Sequence, residues 1–237
     1  MIYIGCSGWY YNHWREVFYP ESLDKKEWLS YYTKFFNTVE INASFYRIPF
    51  SGVVKGWYKK SPSSFLFTLK ANRKITHEGT PGENKEILRR FYGLSEILKE
   101  KLGCVLFQFP PSLRRNDEIL KRFLEGLAPN KRNVIEFRHK SWFNDAVYKI
   151  LEQNNTGFCI ISAPGLPEDI VVTSSFSYIR WHGKKRWYRY EYSKMELERW
   201  KKIIKELSKK GDVFGYFNND FYGYAVKNAL EIKGLLR

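Results

Sequence analysis

The chain has 237 residues, which is enough for one large domain or two small ones. Lys and Arg outnumber Asp and Glu by 40 to 25, and the resulting net charge of +15 favours an anionic partner or serves solubility alone. The sequence shows neither a secretion signal nor an apolar run of membrane-spanning length, so we expect a cytoplasmic protein with no membrane contact.

Eight short runs rich in Ile, Val and Phe alternate with longer amphipathic segments, a pattern typical of βα units and a parallel sheet. Three of these runs contain the cysteines, which we therefore expect to be buried, reduced and not nucleophilic: Cys6, Cys104 and Cys159. The predicted strands are Ile2–Cys6, Thr38–Ile41, Phe65–Lys70, Cys104–Phe109, Asn133–Phe137, Gly157–Ile161, Phe176–Trp181 and Val213–Phe217.

Helical patterns fill most of the intervals between these strands. Two of them open on a capping box, Asp24 with Glu27 and Ser193 with Glu196. The segment "SAPGLPEDIVVT" after the sixth strand predicts no helix, so the sixth βα unit is irregular. Eight strands with mostly helical crossovers favour a closed (β/α)8 TIM-barrel-like fold over an open doubly wound sheet. Because no repeat or linker divides the chain, we predict that residues 1–237 form a single domain.

Polar residues recur near the carboxyl ends of the predicted strands. Side chains alternate between the two faces of a strand, so Glu136 and Arg138 share one face while the apolar Ile135 and Phe137 share the other. The apolar face must meet the helices, which turns Glu136 and Arg138 toward the barrel axis. The same alternation points further polar residues inward: Ser7, Glu40, Asn42, Lys70, Asn72, Gln108, Arg180, His182, Asn218 and Asp220.

A polar ring at the carboxyl ends of the strands lies where TIM-barrel enzymes keep their active sites. We therefore predict an enzyme, a hydrolase or lyase, that acts on an anionic substrate such as a phosphorylated or nucleotide-like molecule. Glu136 or Glu40 is the candidate base, and His182 or Lys70 is the candidate acid. The candidate anion clamp is the pair Arg138 and Arg180. A self-neutralising structural network of these charges is the alternative.

The predicted loops above the ring mix basic and aromatic residues. Those expected to reach a substrate are Trp9, His77, His139 and Trp142. A basic rim suited to phosphates is predicted at Arg73, Lys74, Lys184, Lys185 and Arg186. This rim supports a second hypothesis, a nucleic-acid-binding module without catalysis. A third is a stable scaffold whose charges only keep it in solution.

Metal chemistry has weaker support in the sequence. Carboxylates and histidines of the ring could converge, but the chain has no H-E-x-x-H motif and four histidines in total. We predict no metal site and no cofactor, with a divalent metal as the alternative. The sequence leaves the oligomeric state open.

Eight ordered motifs across almost the whole chain resemble the conserved blocks of the YecE-like family, also known as domain of unknown function 72. They are "IGCSGWYYNHW", "FYP", "FNTVEINASFYRIP", "FTLKANRKITHE", "LGCVLFQFPPS", "VIEFRHKSWF", "YIRWHG" and "FGYFNNDFYGYAVKNA". The resemblance implies a TIM-barrel-like fold without an established reaction, and it supplies no catalytic roles for individual residues.

The YecE-like family has been compared with phosphate-ester-cleaving barrels of the endonuclease IV type, which implies nucleic acid as a ligand. That nuclease holds three zinc ions with many histidines. This chain has four histidines, one of which, His13, is expected far from the inward ring. The sequence therefore departs from the nuclease pattern at the metal site.

Overall fold

Eight parallel strands curl into a nearly closed barrel in the computed structural model, which covers residues 1–237. Each strand pairs with its neighbours in the order β1-β8-β7-β6-β5-β4-β3-β2, so the edges of the sheet are β1 and β2. The strands are β1 Ile2–Cys6, β2 Thr38–Ile41, β3 Leu66–Lys70, β4 Leu102–Gln108, β5 Asn133–Glu136, β6 Gly157–Ser162, β7 Phe176–Trp181 and β8 Asp212–Phe217.

The helices lie outside the barrel and in the loops at its ends. They are α1 Trp28–Tyr32, α2 Ala43–Tyr46, α3 Ser51–Lys60, α4 Arg73–Thr76, α5 Lys85–Ser95, α6 Asp117–Glu125, α7 Asp145–Gln153, α8 Lys194–Ser208 and α9 Tyr224–Leu236. Short 3-10 turns lie at Asn12–Trp14, Lys25–Glu27, Glu96–Lys101, Lys140–Trp142 and Phe221–Gly223. None of the helices is long and apolar enough to cross a membrane.

The predicted (β/α)8 TIM-like fold is confirmed, including its irregular sixth unit. No helix lies in residues 163–175 between β6 and β7. The predicted bounds of β1, β2 and β7 are correct, those of β4 differ at both ends by one or two residues, and those of the other strands differ by one residue at one end. Phe65, for example, stands outside β3 because its N–H closes a turn to the carbonyl of Pro62.

The two predicted capping boxes have different outcomes. Ser193 and Glu196 form the reciprocal hydrogen bonds of a capping box at the start of α8. Asp24 instead accepts a hydrogen bond from the N–H of Lys26 and caps a 3-10 turn, which leads into the short helix α1. The capping box predicted for Asp24 and Glu27 is therefore wrong.

Apolar side chains pack on both sides of the sheet. Outside the barrel, Trp181 of β7 stacks on Phe217 and meets the ring of Trp200 from α8 edge-on. A smaller cluster of buried side chains fills the barrel interior and includes Leu106 and Val134. The three cysteines are buried and free, as predicted.

The seam between β1 and β2 closes the barrel without a regular ladder. One bridge joins Ser7 to Glu40. Nearer the amino ends of the strands, the hydroxyl of Tyr32 spans the gap. This hydroxyl accepts the N–H of Cys6 at 2.8 Å and donates to the carbonyl of Thr38 at 3.1 Å. A Cβ at Gly5 would lie 2.2 Å from the carbonyl oxygen of Thr38, so glycine is what lets the strands approach.

We expect Tyr32→Phe to lower the free energy of unfolding by about 1–3 kcal/mol, since it leaves the buried N–H of Cys6 without a partner. Urea denaturation of wild type and variant measures the change. Tyr31→Phe is the matched control, because Tyr31 makes no bridge across the seam, and it should change stability by much less. Equal losses in the two variants would show that the Tyr32 hydroxyl does not close the barrel.

Candidate functional site

A fully buried arginine lies between two buried carboxylates at the carboxyl end of the barrel. Arg180 at the end of β7 bonds to Glu136 through Nη1 and to Glu40 through Nη2, the second at 2.6 Å. Glu40 also accepts hydrogen bonds from the hydroxyls of Ser7 and Tyr178, each at 2.5 Å. Arg180, Glu40 and Glu136 are fully buried, so each charge needs a partner of opposite charge, and each has one.

Arg138 covers this network on the solvent side. Its Nε donates to Glu136, and its Nη2 donates to the side-chain oxygen of Gln108 at 3.1 Å. The guanidinium lies 4.6 Å from the ring centroid of Trp187 and 3.4 Å from the hydroxyl of Tyr188. With 9% of its side chain exposed, Arg138 is the member of the ion-pair network that an incoming ligand can touch.

The buried imidazole of His182 joins the network through both ring nitrogens. Its Nδ1 lies 3.0 Å from the amide nitrogen of Asn218, whose oxygen in turn faces the amide nitrogen of Asn42 at 3.5 Å. Its Nε2 lies 3.2 Å from Glu136 and 3.3 Å from Nη2 of Arg138. Burial and the nearby Arg138 hold the pKa of His182 well below its usual range, so the ring is neutral at pH 7.

Glu136 is ionised despite its complete burial. Burial alone would raise its pKa, but Arg138 and Arg180 hold the pKa of Glu136 well below its usual range. The two carboxylates of the ring, Glu40 and Glu136, are therefore balanced by the two guanidiniums.

Lys70 at the end of β3 differs from the other charged residues of the ring. Its side chain is 8% exposed, and its ammonium lies 4.1 Å from the ring centroid of Phe45. None of the ion pairs of the ring includes it. Burial, together with the charges of Arg180 and Arg138, lowers the pKa of Lys70 to about 7. Lys70 thus exchanges its proton in the neutral range.

His77 is placed close to this lysine. Its ring packs edge-on against Phe45 at 4.9 Å, and its Nδ1 lies 2.8 Å from the hydroxyl of Thr76. Burial and the neighbouring Lys70 lower the pKa of His77 to about 4, which keeps this imidazole neutral as well.

A cavity of about 400 Å³ opens beside the ring, between the loops that follow β1, β7 and β8. Asn218 belongs to both the ring and the cavity wall, and Tyr188 links the wall to Arg138. The residues that line the cavity are His13, Tyr188, Asn218, Asp220, Phe221 and Tyr222.

The structure corrects the position predicted for Asp220. Asp220 does not join the ring; its carboxylate accepts the indole N–H of Trp14 at 2.7 Å and lies 3.0 Å from Nε2 of His13. His13, expected far from the ring, therefore lies at the barrel mouth. Burial raises the pKa of Asp220 to about 6, although its bonds to Trp14 and His13 act in the opposite direction.

Two further predicted binding residues lie in the protein scaffold instead. Trp142 is fully buried, stacks on Phe137 at 4.7 Å and donates to the carbonyl of Leu113 at 2.8 Å. Trp9 is half-buried and meets the ring of Trp57 edge-on at 5.8 Å. Both indoles therefore pack against other aromatic side chains around the barrel.

Asn72 and His139 act as local caps. The side-chain oxygen of Asn72 accepts the N–H of Lys74 at the start of α4, and its nitrogen donates to the carbonyls of Ser44 and Phe45. His139 bonds through Nδ1 to Ser141, at the start of a 3-10 turn. Their polar atoms are used within the loops.

The predicted basic rim is exposed, but two of its members lie beside carboxylates. Arg73 is 3.2 Å from Glu78, and Lys184 is 3.7 Å from Glu196. The other three rim residues are Lys74, Lys185 and Arg186.

Several residues of the site were not predicted from the sequence. Tyr178 lies two positions before Arg180, and Tyr216 two positions before Asn218, so strand alternation carried to the earlier residues would have found both. The hydroxyl of Tyr216 lies 2.7 Å from that of Thr38 inside the barrel. His13 had no such signal, since it meets Asp220 across 207 residues.

No group of three or more His, Cys, Asp and Glu side chains is arranged to hold a metal ion. The two carboxylates of the ring already bond to arginines, so a metal held by Glu40 or Glu136 would have to displace Arg180 or Arg138.

Replacement of the central arginine should be strongly destabilising. Arg180→Met leaves Glu40 buried without a cation, so we expect the free energy of unfolding to fall by about 3–5 kcal/mol. Arg199→Met is the control: it removes a surface pair with Glu168, and we expect a loss below about 1 kcal/mol. Chemical denaturation of both variants measures the difference, and similar small losses would contradict the buried network.

His182 should make stability depend on pH. The folded imidazole resists protonation, whereas the unfolded one gains a proton below about pH 6.5, so stability is present above that pH and is lost as the pH falls. Wild type should lose roughly 2 kcal/mol from this group between pH 6.5 and pH 5. Urea unfolding at both pH values should show a smaller loss in His182→Gln than in the control His139→Gln. An equal loss in both would contradict the neutral buried imidazole.

The sequence and fold are similar to those of proteins of one family. A profile described as "Protein of unknown function DUF72" matches residues 3–237. UPF0759 protein YunF of Bacillus subtilis (strain 168) is 30% identical, over 100% of this chain and 95% of that protein. UPF0759 protein YecE of Escherichia coli (strain K12) is 27% identical over 60% of this chain and 50% of that protein.

Crystal structures of DUF72 family proteins superpose on the whole chain. One from Thermotoga maritima has a TM-score of 0.91 at 30% identity and is covered over 99% of its length. One from Enterococcus faecalis has a TM-score of 0.87 at 22% identity, is covered over 95% of its length, and supports the fold alone. With a family profile matched over nearly its full length, the chain belongs to the DUF72 family.

Proposed function

We propose that the protein is an enzyme, a hydrolase or lyase, that acts on a small anionic substrate at the carboxyl-end mouth of the barrel. The observation that carries this proposal is the environment of Lys70. It is a nearly buried ammonium at the site, outside every ion pair of the ring. A phosphorylated or nucleotide-like molecule would supply the missing negative charge.

The charge balance of the ring supports an anionic ligand. Glu40 and Glu136 are neutralised by Arg180 and Arg138. Lys70 therefore adds an unbalanced positive charge whenever it is protonated. An anion bound beside it would favour the protonated form and would be held in a poorly hydrated site, where electrostatic attraction is strong.

Lys70 is also the best placed group for proton transfer. A pKa of about 7 gives it a mixture of acid and base forms near neutral pH, which is what general acid–base catalysis needs. The earlier candidates are less suited to this role. Glu136 and Glu40 are fixed in ion pairs, and both ring nitrogens of His182 already contact residues of the network.

The remaining ring residues would then hold the site in place. Arg138, with its partly exposed guanidinium, would contact the anion, while the fully buried Arg180 would fix the two carboxylates. Of the predicted binding residues, Asn42, Gln108 and Asn218 lie in the ring and would orient Arg138 and His182.

Nucleic-acid binding by the basic rim is the second candidate. It is favoured by the exposed cations Lys74, Lys185 and Arg186, none of which forms an ion pair. This function would depend on phosphate contacts along the rim and would not require Lys70.

Replacement of Lys70 tests the proposal. We expect Lys70→Met to weaken binding of ribose 5-phosphate by at least about tenfold, because it removes the unbalanced cation. Isothermal titration calorimetry measures the affinities. Lys74→Met, four residues away and exposed, is the matched control and should bind as wild type does.

The same variant separates a lost function from a lost fold. Removing a buried charge should leave Lys70→Met at least as stable as wild type at pH 7. The gain should shrink toward pH 10, because the folded wild-type lysine is already neutral and removal of the proton from the unfolded lysine costs less as the pH rises. Unchanged affinity for ribose 5-phosphate in a folded Lys70→Met would contradict the assignment. Nucleic-acid binding that persists in this variant but falls steeply with salt would favour the second candidate.

A further inference from the structure

The cavity beside the polar ring is lined partly by aromatic side chains, and the proton-transfer role of Lys70 does not explain them. Three of its lining residues are aromatic, and two of these rings are well exposed, Tyr188 at 41% and Tyr222 at 69%. We propose that this cavity binds a planar heterocyclic ring of the substrate, such as a nucleobase. The inference rests on the proposed function, because it gives a binding site to another part of the same substrate molecule.

The aromatic wall is suited to stacking. Every nucleobase presents a π face, and stacking on an aromatic side chain strengthens binding by about tenfold per base. Phe221 packs against Tyr222 at 4.3 Å and carries the guanidinium of Arg189 at 3.9 Å on its ring. Two rings of the wall, Phe221 and Tyr222, therefore also pack against each other.

The two exposed tyrosines of the wall, Tyr188 and Tyr222, have an uncommon backbone conformation. Tyr188 has a φ of 61° and Tyr222 a φ of 64°, the left-handed region that large side chains rarely adopt. Tyr188 is held by its N–H, 2.6 Å from the carbonyl of His182, and by its carbonyl, which accepts the N–H of Phe221 at 3.1 Å. The position of the aromatic wall is thus tied to the polar ring through the backbone.

One edge of the cavity is polar. The carboxylate of Asp220 is oriented by Trp14 at 2.7 Å and by His13 at 3.0 Å, and each of its oxygens has a further lone pair. Asp220 lines the cavity, so its carboxylate can accept a hydrogen bond from an amino group on a bound ring. This edge favours heterocycles that carry an N–H donor.

The cavity adjoins the polar ring through two of its lining residues. The hydroxyl of Tyr188 lies 3.4 Å from Arg138, and Asn218 lines the cavity while it bonds to His182. One molecule could therefore place its heterocycle in the cavity and its anionic group at Arg138 and Lys70. A nucleoside monophosphate has this arrangement of groups.

Three probes separate the two ends of the substrate: AMP, ribose 5-phosphate and adenosine, titrated calorimetrically against the full chain. We expect AMP to bind about tenfold more tightly than ribose 5-phosphate. Tyr222→Asn should remove this advantage and leave ribose 5-phosphate unaffected. Asn tolerates the left-handed conformation, so the variant removes the ring without adding strain. Tyr46→Asn, at another tyrosine that is 74% exposed, is the matched control and should retain the advantage.

The outcomes distinguish failure of the cavity assignment from failure of the proposed function. Equal affinities for AMP and ribose 5-phosphate, both weakened by Lys70→Met, would show that the cavity does not bind the heterocycle. The proposed function would stand in that case. Binding of AMP and adenosine that depends on Tyr222 but not on Lys70 would support the cavity and contradict the role of Lys70. Absence of binding by all three probes at millimolar concentration would overturn both.

Discussion

The pairing of Arg180 with Glu40 and Glu136 is the interaction on which the carboxyl end of the barrel depends. The three residues come from β7, β2 and β5, so the guanidinium ties together strands from across the barrel. No ladder could do this, because these strands are not neighbours in the sheet. Hydrogen bonds from Ser7 and Tyr178 add to the ion pair of Arg180 at Glu40. A buried charge network is tolerable only when its charges are paired in this way.

The position of this network follows from the alternation of side chains between the two faces of a strand. Within a strand, alternate side chains share a face, so Glu136 and Arg180 had to point inward once Ile135, Ile179 and Trp181 were assigned to the helices. The register of β5 and β7 is set by these apolar residues. That is why the fold and the centre of the site could be predicted without any knowledge of the reaction.

The same rule fails where the strands end. β3 ends at Lys70 and β8 at Phe217, so Asn72 and Asp220 lie in loops whose geometry has no period of two. Asn72 caps a helix, and Asp220 turns toward Trp14 and His13. The outer parts of the site depend on contacts between loops far apart in the chain, and single-sequence patterns do not encode such contacts.

Lys70 and the ion pairs are buried for different reasons. The ion pairs satisfy one another, so their burial is consistent with a purely structural role. Lys70 loses hydration and receives in return a contact with the ring of Phe45, but no carboxylate. An apolar side chain would fill the same space without that desolvation cost. Natural proteins tolerate such local losses of stability mainly where the group is used in binding or catalysis. The unpaired lysine is therefore the part of the ring that a structural explanation accounts for least.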